Sequence, residues 1–118
     1  MTDRRANDVE RLAAEYLQNT LEWDEASDNA RKANVFFDRI HALYKQLRET
    51  EAGRAAIASL MNHPQRAVQL TAAGHSLAWC EAEAVAVLEE IEKDPGLLAI
   101  SAKYTLKAHR EGTLEFDW

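Results

Sequence analysis

The fold is decided by Ala73-Gly74-His75-Ser76-Leu77 and Ala102-Lys103-Tyr104-Thr105-Leu106, two copies of the pattern Ala-x-x-Ser/Thr-Leu that lie 29 residues apart. Each copy follows a helix-start signal that contains proline, Pro64 before the first and Pro95-Gly96 before the second. In helix-pair solenoids, small residues let helices approach closely and leucine fills the space between layers. We therefore predict an all-α fold in which the alanine and leucine of both copies are buried. The Ser and Thr hydroxyls are expected to bond a backbone carbonyl one turn back.

Apolar residues recur at helical spacing along the whole chain, between short polar or proline-containing breaks. We expect Asn7 or Asp8 to cap the first helix and Gly112 to end the last one in a left-handed conformation. The fourth helix is apolar around most of its circumference, so it is predicted to be buried on more than one side. The second helix is predicted to bury Ala30, Ala33, Phe37, Ile40, Tyr44 and Leu47. About six helices are predicted, at residues 7–23, 28–49, 52–61, 64–79, 81–93 and 96–110.

The whole chain, residues 1–118, is predicted to form a single domain, a short HEAT-like array of helical hairpins. The repeat offset of 29 residues is shorter than the HEAT or armadillo period of about 40. We therefore expect residues 1–50 to form N-terminal capping helices and residues 51–112 to form the repeat helices. Residues 113–118 alternate apolar and polar and are expected to lie extended across the helices, with Leu114, Phe116 and Trp118 inserted.

Composition excludes several classes of protein. The chain has 118 residues and a net charge of −6, and an acidic balance argues against nucleic acid as a partner, because phosphate binding needs Lys and Arg. No apolar run has transmembrane length, and no secretory signal is visible at the N-terminus. Cys80 is the single cysteine, which fits a reducing compartment. We expect a cytoplasmic protein with no membrane partner.

No pattern of catalytic or ligand residues emerges. The histidines are His41, His63, His75 and His109, and together with one cysteine they lack the spacing of a zinc site. Cys80 is followed by two nearby glutamates that disfavour a reactive thiolate, so we interpret it as a structural or surface thiol. The sequence predicts no catalytic residues, no metal, no cofactor and no enzymatic activity.

The most acidic segment is residues 81–94, which carry six acidic residues against one lysine, a local charge of −5. One interpretation is a solvated helix face with favourable acidic residues near the helix start. The other is an acidic docking surface, which would speed the encounter with a basic protein. On the second interpretation the partner-binding residues are Glu89, Glu90 and Glu92. Trp23 is a candidate anchor, because tryptophan is common in binding hot spots; a second acidic cluster surrounds it, at Glu22, Asp24, Glu25 and Asp28.

Residues 9–114 resemble a bacterial family of small HEAT-like helical proteins, the domain-of-unknown-function family numbered two thousand and nineteen. That resemblance implies an all-helical single domain without established catalytic residues. The order and spacing of short motifs carry the likeness. The motifs are Asn29-Ala30-Arg31-Lys32-Ala33-Asn34, Asp38-Arg39-Ile40, His63-Pro64, Arg66-Ala67-Val68, Ala72-Ala73, Leu77-Ala78, Glu83-Ala84, Val87-Leu88-Glu89, Gly96-Leu97-Leu98, Ser101-Ala102, Thr105-Leu106 and Gly112-Thr113-Leu114.

The sequence therefore predicts a protein-binding module. Small proteins of this kind resemble immunity proteins, which neutralise a toxin by binding it, and the step to this chain is made by analogy. A basic toxin domain is the expected partner, because nuclease toxins that bind nucleic acid are basic. The alternative is an adaptor or a self-associating structural protein, and the oligomeric state is left open.

Overall fold

Helices account for nearly all of the regular structure. The computed structural model describes residues 4–117, with side chains from residue 8 onward. Six α-helices occur in this range and no strand does, which confirms the predicted all-α class. None of these helices is both long enough and apolar enough to cross a membrane. The helices are α1 (Arg4–Glu25), α2 (Ala30–Leu47), α3 (Glu51–Ser59), α4 (Arg66–Ser76), α5 (Glu81–Glu92) and α6 (Leu97–Glu111), with a 3-10 turn at Leu60–Asn62.

The chain divides into two compact units between Leu60 and Met61. This division places α3 with α1 and α2, whereas the sequence grouped residues 51–112 as repeat helices. The single domain over residues 1–118 and its subdivision stay a prediction.

In the first unit, α1 and α2 pack against each other and α3 contacts both. The α1–α2 connection has four residues, which is typical of a helical hairpin. Asn29 caps α2, because its side-chain oxygen accepts the backbone N–H of Lys32 at 3.1 Å. The buried side chains of this unit include Tyr16, Thr20, Ala26, Ile40, Leu43, Tyr44, Leu47 and Ile57.

Two predictions for this unit are wrong. Helix α1 begins at Arg4, so residues 7 and 8 lie inside the helix and neither is its cap; the Asn7 side chain is outside the described residues. Ala30 and Phe37 are exposed although they share the apolar periodicity of α2. Helix α3 packs on α2 in addition to α1, but it has nine residues and spans about 14 Å, so it shields only part of the 18 residues of α2. Burial is therefore concentrated in the half of α2 from Ile40 to Leu47.

In the second unit α4, α5 and α6 pack against one another. Helix α4 is buried along most of its length, as its all-round apolar character predicted. It begins at Arg66 and not at Pro64, because Gln65 is still extended and Pro64 precedes it. His63 stabilises the segment that leads into α4 through two hydrogen bonds. Its Nδ1 accepts the Gln65 backbone N–H at 3.1 Å, and its carbonyl accepts the Gln69 side-chain amide at 2.6 Å.

The first repeat copy lies at the end of α4, with Leu77 as the residue that follows the helix, and the second lies on α6; their predicted core positions are buried. Ala73 and Ala102 are fully buried, and Leu77 and Leu106 nearly so. The predicted hydroxyl bond fails at Ser76, whose buried Oγ has no hydrogen-bond partner among the described residues. Elsewhere in α4 the expected geometry does occur, since the Thr71 hydroxyl donates to the Ala67 carbonyl at 2.9 Å.

Helix α6 ends as predicted at Gly112, which has φ +74° and donates its N–H to the Ala108 and His109 carbonyls. The left-handed cap reverses the chain, and the following residues are extended without forming a strand. Leu114 and Phe116 are half-buried, and the Phe116 ring meets His75 of α4 edge-on with centroids 5.0 Å apart. The tail therefore lies against the helices of its own unit; Trp118 is outside the described residues.

Candidate functional site

The predicted acidic residues Glu89, Glu90 and Glu92 all face solvent on α5. Their orientation follows from the buried face of the helix, where Ala84, Leu88 and Ile91 are fully buried. Glutamates between and beyond these positions point away from that face, because successive helical residues turn by about 100°. Helix α5 thus presents several carboxylates to solvent, which are distributed around its exposed side.

Two of the three predicted binding residues are engaged by bases of the same unit. Glu89 pairs with Arg110 of α6, with 3.6 Å between Oε1 and Nη2. Glu90 pairs with Lys93 one turn later, with 2.9 Å between Oε1 and Nζ. Among the described residues, Glu92 forms no ion pair. The carboxylates of α5 therefore differ in how strongly their charge is compensated.

Side chains from other helices also contact the carboxylates at the two ends of the acidic segment. Glu81 Oε2 lies 2.8 Å from His109 Nε2, and Asp94 Oδ2 lies 2.8 Å from Arg66 Nε. These contacts join α5 to α6 and the α5–α6 connection to the first residue of α4. The charge of −5 counted along residues 81–94 consequently overstates the field at the surface, because two arginines from outside this segment stand beside its carboxylates, Arg66 beside Asp94 and Arg110 beside Glu89.

The Glu90–Lys93 contact also changes the titration of both groups. The hydrogen bond and charge of Lys93 lower the pKa of Glu90 below its ordinary value. The same hydrogen bond and charge raise the pKa of Lys93. Both groups are charged near neutral pH, so the face keeps its ion pair there.

Trp23, the predicted anchor, is half-buried near the end of α1. It belongs to the first unit, whereas the glutamates of α5 belong to the second. Close to Trp23 in sequence, three carboxylates line a hollow of about 330 Å³ at the α1–α2 connection. The residues around this hollow are Glu22, Glu25, Ala26, Asp28, Asn29, Lys32 and Phe36.

The histidines and the cysteine have separate local surroundings. His41 lies beside Tyr44, with ring centroids 6.0 Å apart. His75 contacts Phe116, and His109 contacts Glu81, as described above. Within residues 4–117 no group of His, Cys, Asp and Glu is arranged to hold a metal ion. The pKa of the Cys80 thiol is raised mainly by burial, and further by the charge and the hydrogen bond of Glu83. A raised pKa reduces the thiolate fraction and so disfavours nucleophilic chemistry at this residue.

Sequence reasoning missed an apolar stripe on α6. Leu97, Ile100 and Tyr104 are 78%, 50% and 60% exposed, although all three are large and hydrophobic. Their spacing of three and four residues, which places them on one helix face, was visible in the sequence. The prediction concentrated on the opposite face, where Ala102 and Leu106 are buried. Beside the stripe a shallow hollow of about 510 Å³ is lined by Glu92, Asp94, Gly96, Leu97, Ala99, Ile100 and Lys103.

Comparison with known proteins gives a family and a related structure. The sequence model of a family described as "Domain of unknown function (DUF2019)" matches residues 10–109. The chain is similar to a crystal structure of the protein RPA1889 from Rhodopseudomonas palustris CGA009, with a TM-score of 0.83 and 26% identity. That similarity covers 91% of this chain and 92% of the other. No curated protein matches the chain in sequence.

Proposed function

The chain belongs to the DUF2019 family, and from that premise we propose that it is a protein-binding module whose docking surface is the solvent-facing side of α5. One observation carries the proposal: this single helix of 12 residues presents five exposed glutamates. Two exposed alanines, Ala82 and Ala86, stand between them and allow close approach of another backbone. The glutamates are Glu81, Glu83, Glu89, Glu90 and Glu92.

The ion pairs on this surface do not prevent docking. The side chains of Glu89 and Arg110, and of Glu90 and Lys93, are all more than half exposed. Exposed ion pairs are weak, because water competes for both groups and salt screens them. A basic partner can therefore replace or share the carboxylates. Residues 61–118 keep nine acidic against five Lys and Arg residues, a net charge of −4 that favours such a partner.

The partner that fits this charge best is a basic toxin domain, which would make the chain an immunity protein. Neutralisation would occur by steric occlusion, with Glu89, Glu90 and Glu92 in contact with basic residues of the toxin. Trp23 is retained in the proposal as an anchor on the first unit, where its ring is half-exposed. The cytoplasm is the proposed location, supported by the one free thiol at Cys80.

Binding rather than catalysis is the proposed mode of action. The separate surroundings of the histidines and the raised pKa of Cys80 support this part of the proposal. A HEAT-like repeat is proposed as the architecture behind the surface. Its support is the burial of equivalent alanines and leucines on α4 and α6, and the approach of Gly74 to Thr105. A methyl group placed on Gly74 would lie 3.9 Å from the Thr105 methyl.

A second candidate is an adaptor or a self-associating structural protein. The exposed stripe of Leu97, Ile100 and Tyr104 favours it, because large exposed apolar side chains on one helix face mark interaction surfaces. This surface lies on α6 and adjoins the glutamates of α5 at Glu92, which lines the hollow beside the stripe.

The proposal is tested by capturing partners from the native cytosol on immobilised protein and identifying them by mass spectrometry. The test variant reverses the charge of Glu89, Glu90 and Glu92 to lysine. We expect the variant to lose the captured partner at about 50 mM salt, with a smaller difference at high salt, where charges are screened. A Trp23→Ala variant tests the anchor separately.

The matched control reverses three exposed glutamates elsewhere, Glu10, Glu49 and Glu115, and so makes the same change in net charge. Circular dichroism checks that each variant stays helical. If the α5 variant captures the partner as well as the control does, the acidic face is not the docking surface. A captured basic protein whose toxicity is abolished by the wild-type chain would support the immunity role.

A further inference from the structure

Two basic side chains of the second unit contact two carboxylates on the exposed side of α5. Lys93 Nζ lies 2.9 Å from Glu90 Oε1, and Arg110 Nη2 lies 3.6 Å from Glu89 Oε1. We propose that Lys93 and Arg110 are internal competitors, which occupy Glu89 and Glu90 in place of the cations of a basic partner and so limit how tightly α5 binds it. This inference rests on the proposed function, because it concerns the regulation of the same acidic surface.

Lys93 acts on both glutamates. It follows Glu89 by four positions and Glu90 by three, and residues at these spacings are neighbours on the surface of a helix. The hydrogen bond and charge of Lys93 lower the pKa of Glu90. In return, the hydrogen bond and charge of Glu90, with a smaller contribution from the charge of Glu89, raise the pKa of Lys93. A single lysine therefore competes with a partner for two neighbouring carboxylates.

The fold of the second unit brings further positive charge to this place. Arg110 lies in the last turn of α6, which packs against α5. Arg66, at the start of α4, pairs with Asp94 at 2.8 Å, and its charge contributes to the lowered pKa of Glu90. The competition for the carboxylates is thus built into the packing of three helices and is not a property of α5 alone.

The competition is expected to be modest. The side chains of the two ion pairs are between 52% and 71% exposed, so water and salt weaken both contacts. Exposed pairs of this kind change an equilibrium by up to about fivefold each. Glu92 forms no ion pair among the described residues, so a partner can engage this carboxylate without displacing an internal cation. The internal competitors should therefore lower the affinity severalfold without abolishing docking.

The test measures how tightly a fluorescently labelled octalysine peptide binds the full chain, by anisotropy at about 50 mM salt. Lys93→Gln together with Arg110→Gln removes the internal competitors. The matched control is Arg31→Gln together with Lys107→Gln, which removes the same two charges. Both control residues are exposed and form no ion pair among the side chains that the structure describes. We expect the first variant to bind the peptide at least about threefold more tightly than the control.

A second comparison shows whether this gain comes from the carboxylates. In a chain that carries Glu89→Gln and Glu90→Gln, replacing Lys93 and Arg110 should tighten binding no more than the control substitutions do, because no carboxylate is then released. Circular dichroism checks that every variant stays helical. The inference is overturned if the variant without internal competitors binds like the control, or if its gain persists without the two glutamates.

The proposed function can fail separately. If Glu89→Gln and Glu90→Gln leave peptide binding unchanged, with and without the internal competitors, α5 is not the docking surface and both proposals fail. If binding depends on these glutamates but not on Lys93 and Arg110, the docking surface stands and only the internal competition is refuted.

Discussion

Gly53 approaches the backbone of Leu47 so closely that a side chain at position 53 would overlap it. A β-carbon built on Gly53 would lie 2.7 Å from the Leu47 carbonyl carbon, well inside van der Waals contact. The approach follows from the tight connection between α2 and α3, where the Thr50 hydroxyl oxygen accepts the Gly53 N–H at 3.0 Å. Here glycine is needed for space, since only glycine lacks a β-carbon.

This relationship gives opposite expectations for two glycines. Gly53→Ala should lower the free energy of unfolding by about 3 kcal/mol or more, because backbone must move to relieve the overlap. Gly74→Ala should raise it by about 0.5–1 kcal/mol, since the new methyl meets only the Thr105 methyl, at 3.9 Å, and alanine favours the helix. Urea unfolding followed by circular dichroism measures both. Equal effects of the two substitutions would contradict the packing described for α3.

Ser76→Ala should stabilise the protein by about 1 kcal/mol. The Ser76 hydroxyl is fully buried and has no hydrogen-bond partner among the described residues, so removing it relieves a desolvation cost. Thr71→Val is the control within the same helix, because it removes a hydroxyl that does donate to a carbonyl. It should be neutral or destabilising by up to about 1 kcal/mol. A loss of stability in Ser76→Ala would instead reveal a partner for the hydroxyl.

Cys80 should react slowly with alkylating reagents near neutral pH, because burial and Glu83 raise its pKa. Glu83→Gln removes the neighbouring charge and should lower the pKa, so the rate of iodoacetamide modification at a fixed pH should rise. Glu81→Gln is the control, as Glu81 is bound to His109 and is not among the groups that shift the thiol. A rate profile against pH measures the effect; identical profiles for wild type and Glu83→Gln would contradict it.

Lys93→Ala should raise the pKa of Glu90 towards its ordinary value of 4.5, as followed by NMR of the carboxyl carbon. A lowered carboxyl pKa stabilises the fold at pH values above the ordinary pKa. This stabilisation is lost as pH falls through the lowered pKa. The raised pKa of Lys93 stabilises the fold at pH values below the ordinary pKa of 10.5. This stabilisation is lost as pH rises through the raised pKa. The contact should therefore be most effective between these limits. Lys107→Ala, which removes a distant lysine, should leave the Glu90 titration unchanged.

Local signals were sufficient to predict the helices and several of their ends. Gly112 ends α6 in a left-handed conformation, which glycine adopts readily. The sequence indicated this end, because the glycine is followed by a segment without helical periodicity. Phe37 shows the limit of periodicity, since it shares the face of Ile40 yet is exposed. Which part of a helix its neighbours reach depends on their length and placement, and a periodic pattern contains neither.

The acidic face shows a second limit. Its exposure could be predicted, because the buried positions of α5 were recognisable and the glutamates lie between them. The side chains that contact its carboxylates could not be predicted, since Arg110 is 21 positions from Glu89 and His109 is 28 positions from Glu81. Only the packing of α6 against α5 brings them together.

The stripe on α6 was visible in the spacing of Leu97, Ile100 and Tyr104. Periodicity alone, however, does not tell which of the two apolar faces of a helix is buried.

The reversal of the chain at Gly112 has a consequence for folding kinetics. It brings Phe116 to His75, a contact between residues about 40 positions apart that ties the last segment to the first helix of its unit. Contacts of long sequence separation form late, because the entropy of closing a large loop must be overcome first. We therefore expect tail docking to follow the formation of the α4–α5 and α5–α6 pairs. Substitutions at Phe116 should then accelerate unfolding while leaving the folding rate nearly unchanged.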